Sequence, residues 1–159
     1  MTPPPDVGSF VLRDATLDDA AELLEWRNDA VTRAMSRNTT AVSDADHRRW
    51  FARTLDDPAK LLLVGCIAGD KVGMVRFDRL ASSTWEVNIN LAPGHRGKGW
   101  SHALLAAALE SVMAAHRPAE IVAEIKPENV PSRRLFEAHG FRRIGSFGEV
   151  DRFVLSCRG

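Results

Sequence analysis

The chain is 159 residues long and carries 21 Lys plus Arg against 21 Asp plus Glu, a formal net charge of zero. That length fits one domain with a sizeable core. The balanced charge gives no bulk attraction to nucleic acid or to a membrane surface, so neither is expected as a partner. The cations are 17 arginines and 4 lysines, a bias that suits fixed contacts to phosphate or carboxylate and is equally explained by genome composition. Cys66 and Cys157 are isolated and lack metal-ligand spacing, which fits a reducing, cytoplasmic setting better than a disulfide framework. The five histidines form no H-x-x-x-H pair, so no metal is expected. The longest apolar run, Leu61 to Ala68, is interrupted by Gly65 and is too short to cross a bilayer. No basic region followed by an apolar one opens the chain, so no signal peptide is expected. Residues 1–8 read as a loose tail and 9–159 as a single domain.

In chain order, "FVLRDAT" predicts a short strand that ends at a cap. Thr16 with Asp19 forms a weak capping box for a helix carrying Leu17, Ala20, Ala21, Leu23 and Leu24. The polar stretch "EWRNDAVTRAMSRNT" has no clean period and reads as a broken helix and loop. Ser43 with Asp46 repeats the capping pattern before a helix that holds Trp50, Phe51, Thr54 and Leu55 on one side. "KLLLVGCIA", the turn "GDK" and "VGMVRFDRL" predict an antiparallel hairpin. "STWEVNINLAP" alternates, with Trp85, Val87, Ile89 and Leu91 on one face and Glu86, Asn88 and Asn90 on the other. A helix is expected from about Gly97 to His116, then a strand in "AEIVAEIK". Pro131 opens a further helix that stops at Gly140, and a terminal hairpin completes the chain. The order is βααβββαβαββ, a mixed sheet with helices, and the β–α–β crossover implies locally parallel strands.

The crossover holds the most informative stretch, "APGHRGKGWSHALLAAALE". A helix begins with backbone N–H groups that have no internal partner, and its dipole places partial positive charge there. Glycines allow close backbone approach, and Arg96 and Lys98 add full charges, so the stretch reads as a phosphate cradle. It is not a Walker loop, which needs G-x-x-x-x-G-K-[ST], and it lacks the third glycine of a dinucleotide fingerprint. The competing reading is an ordinary strand-to-helix turn with a solvated charge pair. His95 and His102 flank the loop and read as surface or capping residues.

Together, Arg96-Gly97-Lys98-Gly99-Trp100-Ser101 and "ENVPSRRLFEAHGF" (Glu128 to Phe141) resemble the two signatures of the GNAT superfamily of N-acetyltransferases. The first corresponds to the Gln/Arg-x-x-Gly-x-Gly/Ala loop for acetyl-CoA, with Ser101 in place of the usual last Gly or Ala. The resemblance implies an α/β (α+β) GNAT fold: a mixed, mostly antiparallel sheet of six to seven strands, about four helices and splayed central parallel strands. It implies acetyl-CoA as co-substrate, its pyrophosphate held by backbone N–H groups from Arg96 to Ser101. Backbone groups of Ile89, Asn90 and Leu91 would pair with the pantetheine arm, and Asn129 would bond the same arm or act only as a cap. Phe136 stands where many relatives have a tyrosine, and the chain has no tyrosine.

Direct transfer of acetyl from a thioester requires a neutral amine, so a base or a water chain must take its proton. Glu86, on the polar face with Asn88 and Asn90, is the candidate; partial burial would raise its pKa. Its alternative is a sheet carboxylate paired with arginine. The thioester oxyanion needs a donor such as a backbone N–H near Leu91. Ser132, directly or through water, is the substitute for the missing tyrosine acid. The alternative is that a CoA thiolate leaves without a dedicated acid, so the acid role stays unassigned; Phe136 packs there.

The acceptor region, "EWRNDAVTRAMSRNTTAVSDADHRRWF", resembles the branch with acetyltransferases for nucleotide-linked 4-amino sugars and also ribosomal-protein N-terminal acetyltransferases. Trp26, Arg27, Asn28, Met35 and Asn88 are the expected acceptor contacts. Arg33, Arg37, Arg48 and Trp50 are further groups for a diphosphate and a base, against a solvated helix face and core as the alternative. Asp29, Asp44 and Asp46 would instead suit a peptide amine. A non-catalytic acyl-CoA-binding module is the third reading. The chain is expected to be a monomer or a homodimer, with the terminal hairpin as a pairing edge.

Overall fold

The computed structural model describes residues 10–36 and 38–157. The tail over residues 1–8 and the expected contact at Arg37 therefore lie outside the described residues. Seven strands form one sheet: β1 (Phe10–Asp14), β2 (Lys60–Ile67), β3 (Asp70–Ala81), β4 (Thr84–Leu91), β5 (Glu120–Ile125), β6 (Arg142–Phe147) and β7 (Val150–Ser156). Their order is β1-β2-β3-β4-β5-β7-β6. Every neighbouring pair is antiparallel except β4 with β5, which run parallel. That one parallel step is bridged by the long helix α4 (Trp100–His116), as a crossover requires.

The apolar pattern assigns the faces. Along β2, Leu63 points into a core with Val75, Phe77, Trp85, Val87, Ile121 and the α4 residues Leu104, Leu105, Ala108 and Val112. Its neighbours Leu62 and Val64 point the opposite way, into a second core with Leu23, Trp26 and Phe51. Helices covering both faces explain why "LLLV" runs without alternation. Each fully buried side chain of this size contributes about 1.5–3 kcal/mol. Trp85 and Phe77, at 1% and 0% exposed, therefore anchor β3 and β4 firmly beneath α4.

Two boundaries differ from the sequence reading. Three helices rather than two stand between β1 and β2: α1 (Ala20–Asn28), α2 (Ala30–Met35) and α3 (Asp44–Asp56). The break falls at Asp29, whose extended backbone ends α1 while its carboxylate caps α2 by accepting from the Val31 and Thr32 N–H groups. The other caps follow the sequence. Thr16 N–H donates to Asp19 at 2.8 Å, and Ser43 Oγ accepts from Asp46 N–H at 3.2 Å. The second difference is the start of α4, which lies at Trp100 rather than Gly97 because Gly97 and Gly99 have φ of 73° and 82°. Left-handed residues cannot continue a right-handed helix. The last helix, α5 (Val130–Ala138), matches the stretch expected between Pro131 and Gly140.

Candidate active site

β4 and β5 are in register only over Thr84, Trp85 and Glu86 with Glu120, Ile121 and Val122. Beyond that point the two strands part. One hydrogen bond shows which β4 groups face the gap. Ala92 N–H donates to Val72 C=O at 2.8 Å, and the register pairs Leu91 with Gly73 and Asn90 with Met74. Antiparallel pairs alternate between hydrogen-bonded and non-bonded, so Asn88 and Asn90 bond β3 through their backbones. Ile89 and Leu91 turn theirs toward the side that β5 has left. Of the three residues expected to offer backbone groups there, Asn90 is thus corrected: its main chain belongs to β3, and its side chain accepts from Thr32 Oγ1 at 3.3 Å.

The strand runs into a short 3-10 turn at Pro93–His95 and then the glycine loop. A Cβ on Gly97 would meet nothing within 4 Å, so the glycine serves backbone conformation and not packing. The φ of 82° at Gly99 sets the loop against the first turn of α4, whose leading N–H groups have no intrahelical partner. Gly73 on β3 has the opposite function. A Cβ there would lie 2.7 Å from Leu104 Cδ2 and 3.0 Å from the Asn90 carbonyl, so its absence lets α4 settle directly against the strand end. Lys98 is exposed beside the loop and Ser101 is half-buried in the first turn of α4. The Trp100 ring stacks on Phe10, with centroids 6.2 Å apart, so only its backbone borders the loop. The Arg96 side chain does not project toward the loop's open side. Its Nη2 bonds Asp29 at 2.7 Å and Thr32 Oγ1 at 2.8 Å.

Helix α2 lies over the gap on the other side. Thr32 meets Asn90 at the end of β4, and Lys126, one residue past β5, donates to Ala34 C=O at 3.0 Å. The short helix therefore touches both diverging strands. On the polar face, Glu86 is half-buried where the strands part, across from Asp78 on β3 and beside Val122 on β5. Asp78 is held by Arg76 at 3.2 Å and Lys60 at 3.4 Å, and Glu124 by Arg152 at 3.1 Å. Asn88 is exposed on the same face, and Met35 is half-buried at the end of α2.

Several expected contacts have structural duties of their own. Trp26 is 5% exposed and packs in the second core. Asn28 braces a loop, donating to Val42 C=O and accepting from Val42 N–H at 2.8 and 2.7 Å. Arg27 donates to Asn38 C=O at 2.7 Å and Arg33 to Thr39 C=O at 3.1 Å. Trp50 packs beside His47 and Phe51 and carries the Arg76 guanidinium 5.5 Å from its ring centre. Phe136 is 3% exposed and meets Phe141 edge to face, a core position. Asn129 caps α5 by accepting from Ser132 N–H at 3.3 Å, so its carbonyl oxygen is committed to the helix. His102 and His139 contact each other at 3.2 Å, and burial followed by the His102 charge pulls the His139 pKa down. Thr32 and Lys126 had no sequence signal. Asp29 had one, the start of a capped helix after Asn28.

Among the described residues, no group of three or more His, Cys, Asp or Glu is placed to hold a metal ion. No helix of the described residues is long and apolar enough to cross a membrane.

A parted parallel strand pair, a left-handed glycine loop feeding a long helix and a second helix laid over the gap define a GNAT-type acyltransferase architecture. The family model described as the acetyltransferase (GNAT) domain matches residues 9–142, and the chain belongs to that family of acetyltransferases. Among solved structures, it is similar to spermidine N-acetyltransferase from Vibrio cholerae in complex with CoA and spermine. The TM-score is 0.85 at 20% identity, covering 94% of this chain and 96% of that one. It is also similar to an aminoglycoside acetyltransferase in complex with coenzyme A, with a TM-score of 0.80 at 20% identity, covering 93% and 95%. No curated protein sequence matches it.

Proposed function

We propose that the protein transfers acetyl from acetyl-CoA to the primary amine of a small molecule, and that this acceptor is an amino sugar linked to a nucleoside diphosphate. The donor half rests on the loop. Gly97 and Gly99 turn successive N–H groups outward ahead of a helix N-terminus, an arrangement suited to a pyrophosphate. The backbone N–H and C=O groups of Ile89 and Leu91 suit an amide-bearing arm, and Lys98 adds charge at the mouth. When bound, acetyl-CoA supplies the activated acyl carbon. Glu86 then receives the proton of the acceptor amine at a carboxylate oxygen, and the Leu91 N–H faces the gap as a hydrogen-bond donor. Ser132 and Asn129 stand at the start of α5 as polar groups of the second signature.

The acceptor half rests on one observation, the balance of charge beside α2. Arg27 and Arg33 hold backbone carbonyls and pair with no carboxylate among the described residues. One Arg27 nitrogen, Nη1, is buried without a partner there. Burial, then the charges of Arg33 and Arg76, pull the Arg27 pKa down, so both guanidinium groups lie within electrostatic reach of Arg27, Arg76 being itself paired with Asp78. An anionic acceptor relieves that excess, whereas polycations such as spermidine or an aminoglycoside would add to it.

The test is CoA release from acetyl-CoA with three acceptors side by side: a nucleotide-linked 4-amino sugar, spermidine and a short peptide with a free N-terminus. Turnover on the sugar is the expected result. Turnover on spermidine or the peptide alone overturns the acceptor assignment. CoA binding without release against any of them overturns the catalytic one and leaves an acyl-CoA-binding module.

A further inference from the structure

The Asp29 carboxylate occupies an unusual junction. Its Oδ2 accepts from Val31 N–H at 3.1 Å and Thr32 N–H at 3.2 Å, which makes it the cap of α2. The same oxygen accepts from Arg96 Nη2 at 2.7 Å, and Arg96 opens the glycine loop 67 residues later in the chain. Arg96 Nη2 also reaches Thr32 Oγ1, and that hydroxyl lies 3.3 Å from Asn90 Oδ1 at the end of β4. Helix and loop therefore share one oxygen and one hydroxyl. The bridge is half-sheltered, with Arg96 and Asp29 side chains 34% and 24% exposed, and Arg96 foremost holds the Asp29 pKa below the ordinary carboxylate range.

We propose that this Arg96–Asp29 bridge is a latch by which occupancy of the donor loop orders the acceptor helix, so that donor and acceptor binding reinforce each other. The inference rests on the donor-site reading above. Arg96 and Asp29 are positioning residues: neither side chain touches the reacting atoms. A ligand that fixes the 96–101 backbone fixes the root of the Arg96 side chain, and the guanidinium passes that restraint to the cap of α2. Binding that restrains a mobile element lowers the cost of a second ligand needing the same element ordered, and the coupling is reciprocal. Helix α2 is a suitable receiver. It is six residues long, has no buried residue of its own and is held mainly by polar contacts. Such elements belong to the low-stability end of a fold.

Amide hydrogen exchange with CoA itself as the probe tests this without knowledge of the acceptor. In the unaltered protein, saturating CoA should slow exchange both over 96–101 and over 30–36, the latter by about fivefold or more. Arg96→Leu should retain slowing over 96–101 and lose it over 30–36. Asp29→Asn keeps a competent helix cap while removing the ionic half of the bridge, so it should weaken the effect on 30–36 without unfolding α2. Arg96→Lys should restore part of it. CoA protection of the loop without protection of α2 in the unaltered protein overturns the latch. So does α2 protection that survives Arg96→Leu. Absence of CoA protection at the loop overturns the donor site and the latch together, which separates the two failures.

Discussion

The proposed donor side and the proposed acceptor side of the sheet are built from different materials. On the donor side the useful groups are main-chain: the Ile89 and Leu91 edges, the loop with its two left-handed glycines and the open first turn of α4. On the acceptor side they are side chains that also hold loops together. Arg27, Asn28 and Arg33 each bond the backbone between residues 38 and 42. A backbone-made site tolerates many side chains and is sensitive to conformation. A side-chain-made site is sensitive to each partner. The two halves should therefore fail differently when altered.

The largest expected effect is at the junction of the halves. Glu86→Gln removes the proposed proton acceptor while keeping shape, so kcat should fall by about 10²–10⁴ with CoA affinity retained. Steady-state CoA release and CoA calorimetry read the two quantities separately. An unchanged kcat would make Glu86 a sheet carboxylate and nothing more.

The second effect concerns the foundation of the acceptor side. Asp19 is 1% exposed and holds Arg13 through two bonds of 2.8 Å and Lys71 at 2.7 Å. Asp19→Ala leaves two cations around a void. Because the Arg13 side chain is 37% exposed, the loss should be about 2–3 kcal/mol, less than for a fully buried pair. For a chain of this size that is a fall in Tm of about 5–10 °C. Bonding to Arg13 foremost depresses the Asp19 pKa well below its ordinary value of 3.8. A depressed carboxylate contributes stability that is complete above the ordinary value and is lost as pH falls below it. The unaltered protein should thus lose stability more steeply than Asp19→Asn as pH drops below about 4, measured by urea unfolding at a series of pH values.

These regions were also unequally legible in the sequence. Alternation in "TWEVNINL" and the glycine spacing of the loop state a backbone geometry directly, so β4, the loop and α4 were readable almost to the residue. What shifted was the start of α4, because positive φ at Gly99 is a three-dimensional demand. The acceptor side was readable only as types. Trp26 is a core residue and Asn28 a loop brace because of what packs around them, and a single sequence does not state its own neighbours. Phe136 belongs to the same group, since a buried phenylalanine and a cofactor-facing one are written alike. The Arg96–Asp29 bridge spans 67 positions, and no local pattern could join them.

Two smaller changes sharpen the contrast. Gly97→Val adds a side chain in open space, so its cost is conformational, about 1–2 kcal/mol for a residue forced left-handed. If the loop instead relaxes to negative φ, the N–H groups turn away from the pyrophosphate. CoA affinity should then fall at least about tenfold, which is 1.4 kcal/mol, while Tm moves by only a few degrees. Equal losses of both would reduce the loop to a structural turn.

Arg48 provides the lower bound. It pairs with Asp44 one helical turn away at 2.8 Å, but the two side chains are 69% and 63% exposed. An exposed pair at this spacing gains little, because water and salt screen it and both side chains surrender freedom to form it. Arg48→Ala should change stability by no more than about 0.5 kcal/mol and leave the acceptor KM unmoved. Arg33, with no carboxylate partner among the described residues, differs in the one respect that matters for an anionic acceptor, and Arg33→Ala should raise that KM. If Arg48→Ala raises the KM as much as Arg33→Ala, the arginines act only through the general field of the surface. The charge argument for the acceptor then loses its particular residues.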